Sequence, residues 1–186
     1  MRGHWSLVIA GAVLIALALP AQAAPQGNGR HCAVRLVLVS RRGSVIEAST
    51  QLIGCFGTLH DALEAGSDGS IQVDVSSPAE LTNEMVQPRT LGTNVLIGTE
   101  FNHTSYGGTS TDYFAPTACA GTDVWEVNYV GDALNDTFSS GKGFGGCDHN
   151  KKFEDADFSG TVLTCTPNCT DYGTLNNQVS SLRWRP

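Results

Sequence analysis

Two six-residue runs in this chain are rich in oxygen donors: Asn135-Asp136-Thr137-Phe138-Ser139-Ser140 and Asn176-Asn177-Gln178-Val179-Ser180-Ser181. Each opens on two carboxylate or amide side chains and closes on two hydroxyls. Carboxylates, amides, hydroxyls and backbone carbonyls are the ligands of a hard cation, and calcium takes about six to eight of them. Asn, Asp and Ser also dominate ordinary turns through side-chain to backbone hydrogen bonds, so one such run alone would say little. A second repeat accompanies the first. Upstream of each run stands an aromatic, then four residues, another aromatic, one residue and a glycine: Phe101, Tyr106 and Gly108, then Phe153, Phe158 and Gly160. Magnesium suits the runs less well, because it demands near-octahedral geometry and few protein ligands.

These paired motifs resemble the βγ-crystallin Greek-key domain, over roughly residues 93 to 185. The resemblance implies a mainly β fold in which two motifs pack as a Greek-key β-sandwich and their loops form a two-site calcium clamp. It also implies ligands: the carbonyls of Thr137 and Gln178, the hydroxyls of Ser139 and Ser180, and the carbonyls of Asn102 and Glu154, which follow each first aromatic. Asn135, Asp136, Asn176 and Asn177 would ligate directly or brace the loop. The run at Asn176 contains no acid, so one site is expected to be weaker than the other, since affinity follows ligand charge. The resemblance carries a second function as well. Some secreted bacterial proteins of this fold inhibit metalloproteinases, and others resemble killer toxins. An inhibitor would need a rigid exposed loop, for which Thr164 to Thr170 and the region around Cys119 are the candidates.

The elements that must position these runs read as short strands separated by glycine, the pattern of an all-β sandwich. Val95 to Gly98 leads into Phe101, Val124 to Val130 is strand-like, and Ser181 to Trp184 is the last strand. Phe101 to Asn135 spans 34 positions and Phe153 to Asn176 spans 23, so the first motif carries an insertion of about eleven residues. The glycine-rich joint Gly141 to Gly146 lacks a phosphate-loop ending and follows no strand into a helix.

Residues 24–90 read as a small α+β segment before the domain at 91–186. Ala33 to Val39 and Val45 to Ile53 pair around a turn at Arg41 to Ser44. Thr58 caps a short helix from Leu59 to about Ala65 that Gly66 stops. Ile71 to Val75 alternates as a strand, and Ser77-Pro78 starts a helical turn or two through Met85. Pro88 to Asn94 is the linker. Arg41-Arg42 reads as a solvated hairpin tip in preference to a processing site, and His60-Asp61 as a helix-surface pair.

Met1 to about Ala23 is not fold. A short polar start, the apolar run Leu7 to Leu19 and the small-x-small pattern Pro20 to Ala23 make a secretory signal peptide. Its apolar core falls short of the ~20 residues that span a bilayer. The mature chain is therefore expected to be secreted, with no membrane segment. Its formal charge moves from -7 to -8 when Arg2 leaves with the signal. An acidic chain argues against nucleic acid, which is bound through Lys and Arg on phosphates, and suits cations.

Cys32, Cys55, Cys119, Cys147, Cys165 and Cys169 read as three disulfides in an exported protein. Six cysteines allow many pairings. Keeping each bridge inside one half suggests Cys32 with Cys55, Cys119 with Cys147, and Cys165 with Cys169. Zinc would need a second close pair or a histidine pair near Cys165 and Cys169, and none accompanies them. His103 and His149 lack partners at metal-ligand spacing. No nucleophile, base and orienting group stand in a recognisable order, nor do paired carboxylates in a glycosidase context, so an enzyme is not expected. Asn102-His-Thr, Asn135-Asp-Thr and Asn168-Cys-Thr match glycosylation acceptors.

Overall fold

The computed structural model describes residues 30–75, 77–87, 94–119 and 121–186. The expected signal peptide, the leader after it and the linker up to residue 93 lie outside the described residues. Nine strands form: β1 (His31–Arg42), β2 (Val45–Phe56), β3 (Val95–Phe101), β4 (Ser110–Ala115), β5 (Val124–Val127), β6 (Ser140–Gly143), β7 (His149–Phe153), β8 (Val162–Cys165) and β9 (Ser181–Arg185). Among the described residues one α-helix, α1 (Leu59–Gly66), accompanies them. The fold is mainly β, as expected.

All nine strands lie in one continuous sheet, in the order β6-β3-β4-β1-β2-β5-β9-β7-β8. Two Greek-key motifs are visible in that order. In the first, β6 returns to pair with β3 beside β4, while β5 crosses to the other half and pairs with β9. The second motif mirrors this: β9 returns beside β7, β8 lies on its outer side, and the chain near Cys169 crosses back to bridge Gly141 on β6. That crossing brings the two ends of the sheet together and nearly closes it.

The N-terminal hairpin fills the remaining gap. β1 runs parallel to β4 and β2 parallel to β5, so the hairpin joins the two halves along one side of the sandwich. The α+β segment thus does not stand apart from the sandwich in space. This arrangement also explains the longer first motif. β4 and β5 stand three strand spacings of ~4.8 Å apart in the sheet, with β1 and β2 between them, and the first motif must cover that distance.

Two cores result. The inner one, between the halves of the sandwich, holds Leu36, Ile46, Tyr113, Trp125, Phe138, Tyr172, Val179 and Trp184. The outer one packs Leu59 and Leu63 of α1 on Leu96 and Phe114. Thr58 caps α1 by accepting the Asp61 N–H, and the helix matches its expected extent to within a residue. Two expectations are corrected. Ile71 to Val75 forms no strand, because its alternating side chains enter the outer core while the backbone finds no ladder partner among the described residues. The helical stretch after Ser77 shrinks to one 3-10 turn, Pro78–Glu80. It stops there because Lys142 Nζ donates to the carbonyls of Pro78, Ala79 and Leu81, at 3.3, 2.6 and 3.0 Å, and holds the segment on the sheet.

The three bridges Cys32–Cys55, Cys119–Cys147 and Cys165–Cys169 form, each local to one region of the fold. Packing between the halves is tight where Gly98 of β3 faces Trp184 of β9. A Cβ at Gly98 would overlap the indole nitrogen, and the ring is fully buried with no room to retreat. Gly98→Ala is expected to destabilise the protein by about 1–3 kcal/mol, the usual range for overpacking. Urea denaturation checks this, and an unchanged midpoint would show that the core yields at this point.

Candidate metal centre

Each aromatic-to-glycine motif builds a folded hairpin, and the two match bond for bond. Asn102 N–H donates to Thr109 O and Glu154 N–H to Thr161 O; His103 N–H donates to Gly107 O and Asp155 N–H to Ser159 O. Phe101 packs edge-on against Tyr106 at 5.7 Å, and Phe153 against Phe158 at 5.5 Å. The turn between the aromatics passes through left-handed backbone at Ser105 and Tyr106, and again at Asp157 and Phe158. Gly108 and Gly160 follow with φ of 78° and 72°, a region that L side chains resist. A Cβ at either would also collide with the polar side chain that the hairpin folds over, Asn102 or Asp155.

The oxygen-rich runs lie across the ends of these hairpins. Ser139 N–H donates to Phe101 O at 2.7 Å, and Ser180 N–H to Phe153 O at 2.9 Å. The last serine of each run locks the fold. Ser140 Oγ donates to His103 O and accepts the Tyr106 N–H, while Ser181 Oγ donates to Asp155 O and accepts the Phe158 N–H. The runs also hold each other: Asp136 N–H donates to Val179 O, and Asn177 N–H to Phe138 O. Asp136 and Asn177 sit at equivalent points with φ of 58° and 57°, where Asp and Asn are the side chains best tolerated after glycine.

This crossing gathers oxygens from three segments. Ser139 Oγ lies 2.9 Å from Asn102 O, 2.7 Å from Asn176 Oδ1 and 3.1 Å from Asn177 Oδ1. A serine hydroxyl has one proton to donate, so three acceptors around it are more than it can satisfy. Four oxygens converging with one proton among them form a cradle suited to a cation. On the other side of the pseudo-twofold, Asn135 Oδ1 is buried without a partner while its Nδ2 donates to Asp136 Oδ2. A buried acceptor left unpaired is unfavourable by about 1–3 kcal/mol, and a bound cation would satisfy it.

The remaining expected residues fall around the same loops. Thr137 Oγ1 donates back to Leu134 O at 2.7 Å, which turns its side chain away from ligation and leaves its carbonyl. Gln178 is exposed, with its N–H donating to Leu175 O. Glu154 Oε2 accepts the Thr161 N–H at 2.9 Å. Hydrogen bonds from Thr161, side chain first and backbone second, hold the Glu154 carboxyl below its ordinary range, so it stays ionised beside the loop. Among the described residues no three His, Cys, Asp or Glu side chains gather at metal-binding distance. The donor set at the runs is instead amide, hydroxyl and carbonyl, which is calcium chemistry more than zinc chemistry. His103 is exposed and His149 half-buried.

One polar centre was not legible beforehand. Glu100 on β3 and Lys152 on β7 form an ion pair inside the sandwich, and the Tyr172 hydroxyl donates to the same carboxylate. Charged residues in alternating strands read as solvent-facing, and only their register against tryptophan and tyrosine could have signalled otherwise.

No family model matches the chain and no curated protein matches it. Among solved structures it is similar to a βγ-crystallin from an archaeon, at 22% identity and TM-score 0.35, covering 48% of this chain and 96% of that one. It is similar to the βγ-crystallin of Ciona intestinalis, at 21% identity and TM-score 0.34, covering 46% and 94%. A clostrillin double mutant in complex with nickel is also similar, at 18% identity and TM-score 0.36, covering 48% and 98%. Two Greek-key motifs that exchange strands, each with a folded aromatic hairpin and an oxygen-rich loop, give residues 95–185 the βγ-crystallin-like architecture that their sequence motifs resemble.

Proposed function

We propose that this is a secreted, non-enzymatic calcium-binding protein whose two loops form a double clamp. The observation that carries the reading is the convergence of Asn102 O, Asn176 Oδ1 and Asn177 Oδ1 on the Ser139 hydroxyl. One site is then built from the Asn102 carbonyl, Ser139 and the amide oxygens of the second run. By the internal repeat, the other takes the Glu154 carbonyl, Ser180, Asn135 and Asp136. The loops cross, so the run without an acid serves the Ser139 site. That site is the weaker, and the Ser180 site, with Asp136, is the tighter. Three disulfides, and no membrane-spanning helix among the described residues, fit an extracellular setting.

Extracellular calcium modules bind at ~10⁻⁴ to 10⁻³ M. With free calcium about 100 times the dissociation constant, each site adds roughly 2.7 kcal/mol of stability. Calorimetric titration of the mature protein should show two calcium ions, and its melting temperature should rise between chelator and calcium. Absence of both heat and shift would end the calcium reading. Protease inhibition, the other function on this fold, has less support. The Cys165 to Cys169 loop is engaged inwardly: Asn168 Oδ1 accepts the Gly143 N–H and Pro167 O accepts from Asn150 Nδ2. These contacts suit a staple that closes the sheet.

A further inference from the structure

The ion pair at the centre of the sandwich has an arrangement that salt bridging alone does not require. The Glu100 and Lys152 side chains are 0% and 1% exposed. Lys152 Nζ contacts Glu100 Oε1, while the Tyr172 hydroxyl donates to Oε2. The Tyr172 and Trp184 rings flank the ammonium, each centroid 5.7 Å from Nζ. Gly141 closes the other side so tightly that a Cβ there would overlap the tyrosine oxygen and press on the carboxylate at 2.6 Å. The nucleophilic nitrogen and the carboxyl group are therefore held together, dry, with no space to part.

We propose that Lys152 and Glu100 condense to an isopeptide bond that joins β3 to β7 across the core. One ammonium proton first passes to Oε1 across the contact, which frees the Nζ lone pair; Nζ then attacks Cδ of Glu100, the new N–C bond forms, and the Cδ–Oε1 bond breaks. Of the three ammonium protons, one remains as the amide proton and two leave with the carboxyl oxygen as water. The charges of the pair cancel in the same step, and no oxidant or reductant is involved. Tyr172, already donating to Oε2, supports the negative charge that develops on that oxygen, while both protons of the departing water come from Nζ to Oε1.

Two physical effects drive the step. Reacting groups fixed in contact reach effective concentrations of about 10⁵–10⁸ M, which favours condensation that dilute amines and acids do not undergo. A buried ion pair also carries a desolvation penalty that attraction often fails to offset, and a neutral amide removes both charges. Water released from the core meets bulk solvent, and the packed aromatic walls then slow hydrolysis.

The test is the mass of the purified, reduced and denatured mature protein. The expected value is one water below that of the sequence. Tryptic mapping should then yield a branched peptide linking the segment with Glu100 to the segment with Lys152, without cleavage after Lys152. Lys152→Met, which keeps the length and removes the nucleophile, should restore the full mass. A wild-type chain at full mass with ordinary cleavage after Lys152 would overturn the proposal, as would a water loss that maps elsewhere or persists in K152M. The wild-type map decides the matter even if the variant does not fold.

Discussion

Replacing Ser180 with alanine should remove the tighter of two calcium-binding phases, and replacing Ser139 should remove the weaker. Each serine touches its hairpin through the backbone, with Ser139 N–H on Phe101 O and Ser180 N–H on Phe153 O, so alanine keeps the ladder and deletes only the oxygen. In chelator the loss is small. The Ser139 hydroxyl gives up one shared hydrogen bond, worth about 1 kcal/mol. In calcium at about 100 times the dissociation constant each missing site removes roughly 2.7 kcal/mol. For a protein of this size that corresponds to a melting shift of roughly 5–10 °C per site. The double variant should melt at one temperature with or without calcium. The ordering of the single variants tests the crossing of the loops. If Ser139→Ala lost the tighter phase, Asp136 would not serve the Ser180 site. Single variants that both kept two phases would remove these hydroxyls from the ligand set.

The candidate loops were legible because their parts are local. An oxygen-rich run of six residues and an aromatic hairpin closed by glycine are each written within a few positions, and their duplication is visible without any partner. Cystine pairing was legible for the same reason, since every bridge joins cysteines of one region. What the residues hid is non-local. Nothing in Val34 or Ile46 says that β1 will run parallel to β4 or that β2 will lie beside β5. The exposed Val37, Leu38 and Leu52 in that hairpin blur its alternation further. Ile71 and Val73 alternate as a strand does, yet their period only records which side chains face the outer core. A period of two fixes the direction of side chains without supplying a neighbour for the backbone. Glu100 and Lys152 were missed on the same principle: their burial depends on the facing half of the sandwich, which no local window contains.

That N-terminal hairpin is joined to the first motif by a polar relay whose pH response has a definite sign. His31 on β1 lies opposite Ser110 on β4, with Nδ1 2.8 Å from its hydroxyl. Ser110 Oγ lies 3.1 Å from Asp112 Oδ2, and Thr99 Oγ1 donates to Asp112 Oδ1 at 2.8 Å. Burial pushes the Asp112 carboxyl up to about 7 from 3.8, against the smaller opposing effect of the two hydroxyls. A carboxyl raised in the folded state lends its stability below the unfolded value and loses it as pH rises through the folded one. Stability from Asp112 is thus full near pH 4 and falls away up to about pH 7, by about 4 kcal/mol at 1.36 kcal/mol per unit. His31 works in the opposite direction. Burial first, and Arg30 second, lower its pKa from 6.5, so its contribution is present above 6.5 and declines as pH falls. Asp112→Asn separates the two. Its amide oxygen can still accept from Thr99, and its NH2 can donate to the Ser110 hydroxyl oxygen once that hydroxyl turns, but it cannot ionise. The variant should match the wild type near pH 4 and exceed it by several kcal/mol at pH 8, read from urea denaturation at both values. A difference that stays the same at the two pH values would mean that Asp112 does not change its protonation in the folded protein across this range.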